Sequence, residues 1–137
     1  MTDFQLLEHT ADIGVAARGK SLAELFCAAA QGVRHLLTSS RCSSELTCDI
    51  ELTCNDLEEL LVSWLQEILY LFEAERFLPA EFTIRSVSTK HLTATVHGCR
   101  FDPERHQLGR EIKAVTYHRL RVDCSDGMWQ ADIYLDL

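Results

Sequence analysis

Three short blocks hold the residues best able to do chemistry, and oxygen donors dominate them. The first is Glu8-His9-Thr10-Ala11-Asp12-Ile13-Gly14, which packs an imidazole, a hydroxyl and two carboxylates between apolar alternations. The second is Lys113-Ala114-Val115-Thr116-Tyr117-His118. The third is the C-terminal strand, where alternation puts Trp129, Ala131, Ile133, Leu135 and Leu137 on one face and Asp132, Tyr134 and Asp136 on the other. The Asp136 carboxylate lies within a residue of the α-carboxylate of Leu137. Adjacent anions repel unless a cation or a basic side chain sits between them. Hard cations favour such all-oxygen sets, and Asp12 can supply a further carboxylate. The competing explanation is a frayed, solvated terminus.

Other chemistries find little support. There is no phosphate-binding glycine loop, no nucleophile elbow and no His-Glu-x-x-His helix. His9, His106 and His118 each neighbour other polar residues, but scattered histidines do not make a zinc site unless the fold gathers them. As general bases they lack a nucleophile, since nothing visible activates Thr10 or Thr116. The net charge of -8 provides no basic field for nucleic acid or anionic membrane, so any service to RNA runs through another protein.

Six cysteines stand at 27, 42, 48, 54, 99 and 124, with no C-x-x-C pair among them. Most fall on apolar patterns, which reads as reduced, mostly buried thiols of a cytosolic protein; a disulfide framework is the alternative. The N-terminus has neither a charged n-region nor an apolar h-region, so no signal peptide is expected. The longest apolar segment is amphipathic and studded with glutamates, which argues against a membrane span.

The elements that must position these blocks follow from periodicity. Phe4–Glu8 and Asp12–Arg18 read as strands. Ser21-x-x-Glu24 is a capping box ahead of a helix whose stripe is Leu22, Leu25, Phe26, Ala29, Val33, Leu36 and Leu37. From Leu46 the period becomes two, with Leu46, Cys48, Ile50, Leu52 and Cys54 on one face. Asn55-x-x-Glu58 signals a second helix, striped by Leu57, Leu60, Leu61, Trp64, Leu65, Ile68, Leu69 and Phe72. Its glutamates form a solvated face, or else a docking surface for a basic partner. After a break at Pro79, Phe82–Val87 and Leu92–Val96 read as a hairpin. Gly98–Arg110 is a long charged loop, either functional or disordered. Two further strands complete a β-β-α-β-α-β-β-β-β order. The expectation is a single α+β domain over residues 1–137, with two amphipathic helices packed on one face of a mainly antiparallel or mixed sheet.

Taken in order, these blocks resemble the archease family. They are His9–Gly14, then Leu60-Leu61 with Trp64-Leu65 and Glu67, then Gly98 with Asp102, Arg105 and His106, then Lys113–His118, and last Tyr134-Leu135-Asp136-Leu137. Two departures are Cys99, where an acidic residue is expected, and the high cysteine content. The resemblance implies a fold related to the strand-helix-strand-strand (SHS2) module. It also implies a non-enzymatic, cytoplasmic activator of an RtcB-type RNA ligase in tRNA splicing or RNA repair. Such a protein promotes ligase guanylylation and turnover and meets RNA only through the ligase. The implied metal ligands are Asp12, Asp136 and the carbonyl or carboxylate of Leu137, with calcium the expected ion and magnesium or manganese the alternatives. Lys113 would be a cationic functional residue nearby, with His9 and His118 as weaker candidates. A metal-dependent hydrolase and a general chaperone or protein-interaction module are the rival readings. Oligomeric state is left open.

Overall fold

A computed structural model describes residues 3–8 and 12–137, the side chains at positions 7 and 8 excepted. The element order is β1 (Asp3–Glu8), β2 (Asp12–Gly19), α1 (Leu22–Leu37), β3 (Leu46–Thr53), α2 (Leu57–Glu75), β4 (Phe77–Val87), β5 (His91–Arg100), β6 (Ala114–Ser125) and β7 (Met128–Asp136). The α+β class and this order match the expectation. The strands, however, form two sheets rather than one: a four-stranded sheet ordered β1-β2-β7-β6 and a three-stranded sheet ordered β3-β5-β4. Every pairing is antiparallel.

The second sheet changes what α1 must do. A helix covering one sheet would bury only its stripe, yet Ala28, Ala30 and Gly32 are buried as well. α1 packs against β1 and β2 of one sheet and against β4 of the other, so it is enclosed on two sides. Small residues allow that approach. A Cβ on Gly32 would lie 2.5 Å from Val15 Cγ1, so only glycine lets this turn of the helix meet β2. α2 lies beside it and likewise touches both sheets. Trp64 is fully buried, with its indole nitrogen donating to the Phe26 carbonyl at 3.0 Å. That bond satisfies the one polar atom of the largest core side chain, which burial would otherwise penalise.

The helix ends show where local signals hold and where they slip. Ser21 caps α1 as expected, accepting from the Glu24 amide at 3.2 Å. In α2 the cap is Asp56, one residue later than the sequence pattern suggests. Its carboxylate accepts from the Glu59 amide at 2.8 Å, and Glu59 Oε1 accepts from the Asn55 amide at 2.7 Å. Aspartate and asparagine are near-equal caps, so the phase of the apolar stripe decides between them. α2 stops at Arg76, which turns left-handed at φ 55°, and not at Pro79. Pro79 lies in β4 beside a register shift, a position where its missing N–H is tolerated.

The long loop begins after Arg100 and is tied down. The amides of Gly109 and Arg110 donate to the carbonyls of Leu37 and Leu36, each at 2.7 Å, closing the end of α1. Thr38 Oγ1 donates to the Gln107 carbonyl. A further correction concerns the cysteines. Cys42 and Cys99 are joined in a disulfide, their Cα atoms 6.0 Å apart, so not all six are thiols. Cys27, Cys48, Cys54 and Cys124 are free. The bridge ties the polar segment after α1 to the end of β5, two stretches separated by 57 residues, and no spacing rule advertises such a pairing. No helix among the described residues is long and apolar enough to cross a membrane.

Candidate functional site

Strand register builds the site. β2 and β7 are antiparallel neighbours, and Ile13, Val15 and Ala17 lie opposite Leu135, Ile133 and Ala131. All six are buried. The intervening positions must therefore point to the other face of the sheet, away from α1. There Gly14 lies opposite Tyr134, and Asp12 lies directly opposite Asp136. Two residues 124 positions apart thus become cross-strand partners, with Cα atoms about 4.5–5.5 Å apart as in any such pair.

Like charges in that position destabilise a sheet. Among the described residues, no hydrogen bond or ion pair offsets the charge of either carboxylate. Asp12 is half-buried, Asp136 is exposed, and Leu137 follows at the end of β7. The arrangement is a concentration of oxygen donors that a hard divalent cation would relieve. Its donor chemistry fits such an ion. No three His, Cys, Asp or Glu side chains gather as a ligand cluster among the described residues, so a third protein oxygen would have to come from the backbone or terminus of Leu137.

The other predicted residues fall unevenly. Lys113 is exposed, and its amide donates to the Asp136 carbonyl at 2.8 Å, which fixes its backbone beside the pair. His118 is exposed, and its amide donates to Thr116 Oγ1 at 3.2 Å. The reason is an irregularity in β6. Thr116 pairs with Tyr134 and Arg121 with Asp132, so residues 117–120 oppose the single residue Ile133. Such a bulge breaks the alternation and re-aims side chains. Arg119 takes φ 57° there, and its guanidinium carbon sits 5.9 Å from the centre of the Tyr134 ring. Tyr134 is only 8% exposed although it belongs to the carboxylate face. His9 lies outside the described residues.

Sequence reasoning missed Arg119 and the bulge. An unbroken β6 alternation would have sent His118 to the same face as Thr116, and nothing in 117–120 marks the extra residues. It also left the disulfide and His106 unconnected. His106 Nε2 is 3.8 Å from Cys99 Sγ, which places the long-loop block against the bridge.

This is a small α+β protein whose paired antiparallel strands hold two carboxylates face to face. The chain belongs to the archease family: the model of the archease protein family (MTH1598/TM1083) matches residues 4–137. A protein archease of Methanosarcina mazei is 35% identical over 139 residues, covering 98% of this chain and 95% of that one. One of Pyrococcus furiosus is 35% identical over 143 residues and covers both chains fully. The solution structure of Methanobacterium thermoautotrophicum protein 1598 is similar at a TM-score of 0.84, with 33% identity over 98% of each chain. A Thermotoga maritima crystal structure, described as an archease and possible chaperone, shares the fold at a TM-score of 0.66 and 22% identity.

Proposed function

We propose that this chain is a non-enzymatic activator of an RtcB-type RNA ligase, acting in tRNA splicing or RNA repair by promoting guanylylation of that ligase. The reading is supported by family membership and carried by one observation, the cross-strand pairing of Asp12 with Asp136. Asp12, Asp136 and a Leu137 oxygen would hold a divalent cation, with calcium the expected ion. When bound, such an ion supplies a local positive field able to orient phosphate oxygens. The chain's own residues do the rest. Asp12 and Asp136 keep their spacing because the core-side partners Ile13 and Leu135 pin the register. Lys113 adds a cation on a backbone already bonded to Asp136.

An acidic helper also suits a ligase surface that is itself basic, since complementary fields speed encounter. The test compares ligase-guanylate formation with wild-type protein, Asp12→Ala and Asp136→Ala. Loss of stimulation by both folded variants is expected; full stimulation by both would refute the role of the pair. A hydrolase would instead turn over RNA or nucleotide without any ligase. The chaperone description attached to the Thermotoga maritima relative would require suppression of aggregation of unrelated clients.

A further inference from the structure

The long-loop block takes no part in the carboxylate pair, yet it is tightly built. The Arg105 and His106 amides donate to the Asp102 carbonyl at 3.0 and 2.8 Å, and the Glu104 amide donates to Asp102 Oδ1 at 3.0 Å. The Asp102 amide in turn donates to His106 Nδ1 at 2.9 Å. A ring nitrogen that accepts from an amide carries no proton, so the neutral imidazole is assigned the Nε2–H tautomer. That N–H faces Cys99 Sγ, which is bonded to Cys42.

The result is a cleft of about 490 Å³ walled by three arginines from three separate segments. Arg41 directly precedes Cys42, Arg100 directly follows Cys99, and Arg105 sits in the turn beside His106. The disulfide therefore staples the Arg41 segment to the Arg100 strand. Phe101 stiffens the base, its ring 5.4 Å from Phe72 and 5.8 Å from His106. All three arginines are exposed, and none forms an ion pair among the described residues. Glu45 and Asp102 line the same cleft, so its three guanidinium groups outnumber its two carboxylates. In a chain of net charge -8, this lining is a local, small excess of positive charge.

We propose that this cleft binds phosphate, and specifically a diphosphate group carried by a small molecule. A guanidinium offers a rigid fork that matches phosphate oxygens two at a time. A lone carboxylate occupies one fork, whereas a diphosphate presents enough terminal oxygens for several. The volume falls within the roughly 300–1,000 Å³ usual for small-ligand sites. A nucleic-acid strand needs a groove of continuous positive charge, and Glu45 and Asp102 interrupt one here.

The test titrates the full-length oxidised protein with inorganic pyrophosphate in low salt and chelator, read by amide NMR shifts and calorimetry. Pyrophosphate should shift the amides of Arg100, Asp102 and Arg105 and leave those of Asp12 and Asp136 in place. Its affinity should fall as salt rises. Arg100→Ala and Arg105→Ala should each weaken binding by about tenfold or more, the loss expected for a charged hydrogen bond. Lys90→Ala, in the β4–β5 turn, should change nothing. ATP and AMP distinguish the sources. ATP that outcompetes pyrophosphate while AMP fails identifies a nucleotide tail, and equal binding of ATP and pyrophosphate shows that the phosphates alone are read. Absent shifts at these amides, unchanged affinity in both arginine variants, or binding confined to a single-stranded RNA oligonucleotide would each overturn the proposal.

Discussion

The carboxylate pair and the arginine cleft are positioned by opposite means. Asp12 and Asp136 are set by strand register, and each is flanked by a buried neighbour, Ile13 or Leu135, that would have to surface if the pairing slipped by one residue. The arginines sit on a strand end, a polar segment and a turn, held by one disulfide and by hydrogen bonds within the loop. The first region inherits its geometry from the core. In the second, only Arg100 is set by a strand, and the disulfide ties the Arg41 segment to it.

That contrast can be broken from either side. Leu135→Ala, which removes a fully buried side chain behind Asp136, should cost about 2–5 kcal/mol in urea unfolding. In the protein that remains folded it should weaken calcium binding and leave pyrophosphate binding intact. Cys99→Ser should cost about 2–4 kcal/mol, as expected when a bridge spanning 57 residues is lost. Its effect on ligands should be the reverse, with pyrophosphate weakened and calcium unaffected. If either variant moved both ligands equally, the two regions would not be independently held.

Smaller effects sharpen the same distinction. In chelator, Asp12→Asn should raise stability by about 0.2–1 kcal/mol, since it removes a like-charge cross-strand repulsion. Calcium should stabilise the wild type and erase that advantage, as thermal melts with and without the ion would reveal. The free thiols provide the mildest probe. Burial pushes the Cys27 thiol above its ordinary pKa, so its reactive thiolate becomes abundant only at higher pH than for an exposed cysteine. Alkylation followed by mass spectrometry near pH 8 should label exposed Cys124 first and Cys27 last.

How much was legible follows from the same physics. The period-two patterns of β2 and β7 told which side chains share a face, and that was enough to place Asp12 and Asp136 together once the strands paired. The stripe of α2 and the Ser21 cap were equally plain. What escaped was whatever depends on a second partner. Ala28, Ala30 and Gly32 look like ordinary helix filler until a second sheet encloses α1. Four β6 residues, 117–120, read as continuing strand until β7 matches them with one residue. Cys42 and Cys99 carry no local mark of their pairing.

Calcium titration calorimetry tests the central claim most directly, using wild type, Asp12→Asn and Asp136→Asn. One binding event in the wild type, lost in both variants while their circular dichroism and unfolding curves stay native-like, is the predicted result. Undiminished binding in both variants would show that the cross-strand carboxylates are not where the cation is held.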